Sequence, residues 1–310
     1  MAAIYLDHNA TAPLRPEARD AVVAALAACG NPASAHHAGR HARRVLEDAR
    51  ERVAARLGAA PDEVVFTSGA TEANNLAVFG LAAETLGQPP PPKGEGAPGS
   101  APPSLLGKGV GGLGSCRPGR SAPRHGQVVH PSPQPPPPGG EGRPEGGLDS
   151  APLSPLGKGV GGFGSLLASR LEHPCVVEPL THLAGRGFDV DWLPVNARGQ
   201  VEQAAVLAAV RPDTRLVCLM LANHETGALQ PVRHVAKTLP KGVFLHCDAA
   251  QAVGKIPVHF RDLGVATLTA SGHKFGGPAG VGVLVVRTGV ELAPRTFGGH
   301  QQRGRRPGTE

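Results

Sequence analysis

Four polar clusters stand out, each following a short apolar run of the kind that forms a buried strand. The first, Thr67-Ser-Gly-Ala-Thr-Glu-Ala-Asn-Asn75, follows Glu63-Val-Val-Phe66 and opens a helical pattern. A strand entering a helix through a glycine turn gathers free backbone N–H groups at the positive end of the helix dipole, which suits a phosphate. Thr71 could add a hydroxyl donor beside Ala70. An ordinary cap by Ser68 or Thr71, with Glu72 in the first turn, accounts for the same residues equally well. The second cluster, Ala222-Asn-His-Glu-Thr-Gly227, suits ligand contacts or a plain turn, and for His224 and Glu225 the turn is the stronger reading. The third, His246-Cys-Asp-Ala-Ala-Gln251, puts Asp248 at the end of a buried strand, where a carboxylate is costly unless it faces a cation or donors. A protonated heteroaromatic nitrogen is such a partner, and Gln251 sits where the next turn can bring its amide to the same ligand. The fourth, Ser271-Gly-His-Lys-Phe-Gly-Gly-Pro278, holds Lys274 between His273 and Phe275. Partial desolvation there favours imine formation with an aldehyde. Ser271 and His273 can donate to a phosphate, and the glycines, Gly272 among them, permit close backbone approach.

Strand ends must hold these clusters, and strands and helices alternate along the chain. Pro16 at a first-turn position opens a helix through about Cys29. From Gly39 to Leu57, Ala, Val and Leu recur at helical spacing among Arg and Glu, and Gly58 ends that helix. Glu63–Thr67 reads as a strand leading into a helix from Thr71 to about Glu84. Ser165–Ser169 is a strand, and Pro174 opens the helix after it. Further strands fall at Phe188–Leu193, Arg215–Leu221, Val243–Asp248, Ala266–Ala270 and Val281–Val286, with helices near Val201–Val210 and Pro231–Leu239. Several strands are apolar on both faces, as when helices cover a sheet from both sides. The expected fold is α/β, a mostly parallel mixed sheet flanked by helices, with functional residues at strand ends.

Residues 88–164 break this pattern: 18 Pro and 20 Gly in 77 residues exclude long helices and a continuous core. Ser100–Ser115 returns with three changes at Ser150–Ser165, but two copies are too few to stack as a solenoid. The segment is expected to be a disordered insertion in one folded domain made of residues 1–87 and 165–310, with an N-terminal segment 1–15. A loop that long adds only about 1–2 kcal/mol of closure entropy. Its Gly-Lys-Gly-Val-Gly-Gly units lack the Ser or Thr after Lys108 and Lys158 that a phosphate-binding Walker loop requires.

The whole chain of 310 residues carries 31 Lys+Arg and 25 Asp+Glu, a net charge of +6, of which +3 belongs to the insertion. Without a basic block or aromatic interleaving, nucleic acid is not an expected partner. No run approaches the ~18 apolar residues of a membrane span, and the start, Met-Ala-Ala-Ile-Tyr-Leu-Asp-His-Asn, does not read as a secretory signal. Five dispersed cysteines without a Cys-x-x-Cys spacing suggest neither a disulfide framework nor a zinc site. A cytoplasmic location is expected.

A lysine for a Schiff base, a buried acid for a ring nitrogen and anchors for a phosphate are what pyridoxal 5′-phosphate (PLP) needs. The chain resembles the cysteine desulfurases of the class V aminotransferase family. The matching stretches are Tyr5–Pro13, Gly30–Ser34, Phe66–Glu72, Glu172-His173, Ala222–Gly227, Asp248–Gln251, Ser271–Lys274 and Arg306-Pro-Gly-Thr309. The resemblance implies that Lys274 forms the Schiff base and that Asp248 keeps the pyridine nitrogen protonated. It implies that His173 stacks on the ring and assists proton transfer, and that Asn223 and Gln251 bond the ring oxygen. Ala70, Thr71, Ser271, Gly272 and His273 would hold the phosphate. Thr309 would reach the phosphate of a partner subunit, implying a homodimer. The implied reaction takes L-cysteine to L-alanine, its sulfur passing through an enzyme cysteine to an iron–sulfur scaffold or another acceptor.

Family members continue beyond the Arg-Pro-Gly-Thr stretch into a small domain that carries the persulfide cysteine and a carboxylate-binding arginine. Here the sequence ends at Glu310, so that small domain is expected to be missing and the activity impaired. Cys175, two residues after His173, is the cysteine nearest the expected cofactor but sits in a helix. Two alternatives stay open: another class V enzyme such as a selenocysteine lyase or an aminotransferase, and a non-catalytic remnant or interaction module.

Overall fold

The computed structural model describes residues 4–83 and 162–309. The insertion read over 88–164, with its repeated unit, lies up to residue 161 outside the described residues. Helices α1 (Pro16–Leu26) and α2 (His37–Leu57) lead to β1 (Val64–Thr67) and α3 (Ala70–Ala82). Then follow β2 (Ser165–Ser169), α4 (Pro174–Ala184), β3 (Asp189–Leu193), α5 (Gln203–Ala209), β4 (Thr214–Cys218) and α6 (Val232–Thr238). The chain goes on through β5 (Phe244–Asp248), α7 (Phe260–Leu263), β6 (Thr267–Ser271) and β7 (Gly282–Val286).

The seven strands form one sheet in the order β1-β7-β6-β5-β4-β2-β3. β7 runs antiparallel to both β1 and β6, and the other pairings are parallel. The mostly parallel mixed sheet is therefore as expected. Alternation along each strand supplies both faces. Leu167, Val217, Leu245, Leu268 and Val285 face a core shared with α2, α5, α6 and α7. Leu166, Ala168, Leu216, Leu284 and Val286 face a second core built on α3 and α4. α3 buries eight of its thirteen residues, so its position on the sheet is set by packing.

β1 lies at the sheet edge, where free N–H and C=O groups need cover. Gln302 supplies part of it: its Oε1 accepts from the Phe66 N–H (2.8 Å) and from Arg50 Nη1 (2.9 Å). Arg50, buried on α2, also donates to the Val64 carbonyl at 2.7 Å.

Three elements differ from the sequence reading. α1 stops at Leu26, short of Cys29. β4 ends at Cys218 rather than Leu221, and two residues on the Met220 N–H donates to the Glu172 carboxylate at 2.8 Å. α7, four residues closed by a left-handed Gly264, is too short for periodicity to reveal. Among the described residues, no helix is long and apolar enough to cross a membrane.

Candidate active site

β1, β5 and β6 reach a common sheet edge, and a cavity of about 370 Å³ opens there. Of the residues expected at the site, its wall contains Ala70, Thr71, His173, Asp248, Gln251, His273 and Lys274. These seven come from four elements and their flanking loops.

The β1–α3 turn forms one side. Gly69 occupies the cap position of α3, and no side chain caps it. The cap by Ser68 or Thr71 that the sequence equally allowed is therefore absent. Instead the Ser68 N–H donates to Glu72 Oε2 at 2.6 Å, while Arg306 Nε holds Glu72 Oε1 at 2.9 Å. The first-turn N–H groups of α3 are left without a side-chain acceptor beside the cavity, which favours the anion-site reading.

Opposite lies the end of β5. Asp248 is buried; its Oδ1 accepts from the Ala250 N–H (2.9 Å) and its Oδ2 from Asn74 Nδ2 (2.7 Å). Burial raises its proton affinity above the usual carboxylate range, with the two hydrogen bonds and the charges of His173 and Lys274 pulling the other way. Glu172 is also buried and is pushed up to about 8, chiefly by burial, with the Asp248 charge adding to it. Its Oε1 takes Ser169 Oγ and the Met220 N–H, while its Oε2 has no partner among the described residues.

His173 caps α4, its Nδ1 accepting from the Cys175 N–H at 3.2 Å. Burial pushes it below the ordinary histidine range, and the charges of His224 and Lys274 push the same way. The His224 ring meets it edge-on at 5.8 Å, so His224 belongs to the wall and not only to a turn.

The half-buried Lys274 donates to the Asn9 carbonyl at 2.6 Å. Asn9 gathers three more contacts: Gln251 Nε2 on its carbonyl, Lys255 Nζ on its Oδ1, and its own Nδ2 on the His224 carbonyl. Lys255 also donates to Gln251 Oε1, and burial and then Lys274 lower its proton affinity. A second lysine thus stands beside the first.

The remaining expected residues lie elsewhere. Asn223 is buried and its Oδ1 is occupied by the Glu225 and Thr226 N–H groups and the Thr226 hydroxyl. Ser271 is fully buried with its Oγ 3.0 Å from His273 Nδ1, and Gly272 takes Gly277 on its carbonyl. Thr309 is exposed, away from the wall. Sequence reasoning missed Asn9, Asn74 and Lys255. Asn74 had a signal: it is a polar residue on the helical stripe of Ala77, Val78 and Leu81.

The family model described as aminotransferase class-V matches residues 4–89 and 154–305. The chain is 33% identical over 309 residues to cysteine desulfurase IscS of Dictyoglomus turgidum, spanning 99% of this chain and 60% of that protein. It is 37% identical over 325 residues to selenocysteine lyase of Bos taurus, spanning 99% and 61%. Among solved structures, a NifS-like protein matches with a TM-score of 0.72 at 30% identity, over 100% of this chain and 66% of that one. A structure of SspA in complex with cysteine matches with a TM-score of 0.73 at 28% identity, over 99% and 69%. The chain spans about three-fifths of the length of the curated relatives it matches. On the match of its two sequence blocks to that model, the chain belongs to the class V aminotransferase family.

Proposed function

We propose that the cavity is a PLP site and that the chain carries the cofactor-binding part of a cysteine desulfurase. The observation that carries this reading is the meeting of Lys274, Asp248 and the uncapped start of α3 in one cavity. A primary amine, a buried carboxylate and free N–H groups form a donor set that suits the aldehyde, ring nitrogen and phosphate of that cofactor. When bound, PLP supplies an electron sink for the Cα of an amino acid.

The chain's own groups then have distinct tasks. The α3 N–H groups, Thr71 and His273 would hold the phosphate. Ser271 acts on His273, to which its hydroxyl is bonded. Asp248 would hold the ring nitrogen, whose positive charge would offset the cost of keeping a buried carboxylate ionised. His173, held neutral by burial, would support the ring and could carry a proton. Lys274, now bonded to the Asn9 carbonyl, would supply the amine for the aldehyde and could move a proton. Asn223 and Gln251 would donate their amide N–H groups to the ring oxygen; the turn engages only the Asn223 Oδ1 and not its Nδ2.

L-cysteine is the proposed substrate, with an iron–sulfur scaffold or another thiophile as acceptor. Thr309, exposed, is available to a partner subunit in a homodimer. A specific observation favours a second reading, selenocysteine cleavage: the likeness to the bovine lyase.

Added PLP is expected to produce an imine absorbance band that Lys274→Ala abolishes; a band unchanged in that variant would overturn the reading. With a thiol reductant present to release the sulfur or selenium, alanine with sulfide from cysteine, against alanine with selenide only from selenocysteine, separates the two substrates. Turnover by this chain is expected to be low. Cys175, the cysteine in the cavity wall, is mostly buried, and burial holds its thiol up at about 11, so it is a poor nucleophile.

A further inference from the structure

Asn74 has no exposed surface and stands on the apolar stripe of α3, where an unpaired amide would be heavily penalised. Its Nδ2 donates to Asp248 Oδ2 at 2.7 Å and to Cys175 Sγ at 3.0 Å. Its Oδ1 lies 3.0 Å from Nε2 of His246, and His246 Nδ1 lies 2.9 Å from Thr267 Oγ1. His246 and Thr267 are likewise fully buried, on the neighbouring strands β5 and β6.

The polarity of this chain has one consistent assignment. A carboxylate oxygen only accepts, so the nitrogen side of the Asn74 amide faces Asp248. The amide oxygen then faces His246, which must donate from Nε2. Burial holds His246 neutral, its proton affinity lowered to about 3, so its one ring proton is on Nε2 and Nδ1 accepts the Thr267 hydroxyl. A flipped amide would set oxygen against oxygen at Asp248, and His246 could meet it only by moving its proton to Nδ1 while the Thr267 hydroxyl turned to accept.

We infer that Asn74 is a positioning residue of the site, held in one orientation between the Asp248 carboxylate and the Nε2–H of the buried His246–Thr267 pair, so that it donates to Asp248. The Asp248 carboxylate is thereby fixed as an acceptor before any ligand arrives. Other charged or titratable groups around Asp248 are His173, Glu172 and Cys175 at the start of α4, Lys274 after β6, and Cys247 beside it on β5. None of them is bonded to Oδ2 among the described residues. The benefit to a ring nitrogen rests on the PLP reading; the hydrogen-bond polarity does not.

The test uses the full chain without added cofactor, labelled with 13C at aspartate and 15N at histidine. In the wild type, His246 is expected as the Nε2–H tautomer. Asn74→Leu is expected to raise the Asp248 titration midpoint by about one unit, tenfold more carboxylic acid at a given pH. His246→Leu is expected to move it the same way by less, and His246→Gln, whose amide can still donate to Asn74 Oδ1, to restore it. A merely structural role would lower thermal stability in these variants and leave the Asp248 titration where it was. An Nδ1–H tautomer at His246 in the wild type would overturn the proposal, even if every variant failed to fold. So would an Asp248 titration unmoved in both leucine variants. Absence of the imine band on adding PLP would refute the cofactor assignment alone, since neither readout here involves a ligand.

Discussion

Glu172 and His246 are buried in opposite senses. Burial raises the carboxyl to about 8, and it lowers the imidazole to about 3. Between about 4.5 and 8 the folded chain keeps a Glu172 proton that the unfolded chain has released, so this stabilisation is complete below that window and is lost as pH rises through it. For His246 the unfolded chain holds the extra proton between about 3 and 6.5, so its contribution is complete above 6.5 and is lost as pH falls. Above pH 6.5 only Glu172 of this pair is still changing. Glu172→Gln is therefore expected to match the wild type at pH 4 and to exceed it by up to a few kcal/mol near pH 8.5, read from denaturant melts at both values. Equal slopes with pH in the two proteins would count against this. At this scale much of the site was legible. Lys274, Asp248 and the polar turn after β1 announce themselves by residue type after apolar runs. Asn9 does not, and Asn74 does so only by breaking an apolar stripe, because their partners lie 101 to 265 positions away, and only the fold brings them into contact.

Elements were more legible than contacts, because periodicity and terminal residues are local properties. α2 ends where Gly58 takes a left-handed φ of 63°, and β2 falls on the apolar run Ser165–Ser169. β4 was overextended because Leu219, Met220 and Leu221 are apolar; a carboxylate takes the Met220 N–H, and sequence gives no sign of it. The packing of β7 on the β1–α3 turn was invisible for the same reason. A Cβ on Gly282 would lie 2.5 Å from both Cα and C of Gly69, backbone with no room to yield. Gly282→Ala is expected to cost about 1–3 kcal/mol, lowering Tm by a few degrees. It should also weaken binding of inorganic phosphate at the α3 start. A variant with wild-type Tm and phosphate affinity would show that the turn is looser than this contact implies.

Over the whole molecule, stability is unevenly spread. α1 buries none of its eleven residues: its Val23 and Leu26 are exposed, as are Ile4 and Leu6 earlier in the chain. A helix that short, without packing, is marginal in water. Hydrogen exchange of the isolated chain is expected to replace α1 amides orders of magnitude faster than those of α3, which packs on the sheet with eight residues buried; comparable protection would mean that α1 is held by something else. The sequence showed α1 as a helix but not that its apolar residues lack a neighbour, since burial depends on what lies across from a face. The strand order carries one more consequence. β7, the last strand made, is inserted between β1, the first, and β6, and it seats the turn after β1. On the ribosome, β1 therefore has no correct neighbour until translation has passed residue 286, so the nascent polypeptide must keep Val64–Thr67 from pairing elsewhere for more than two hundred codons.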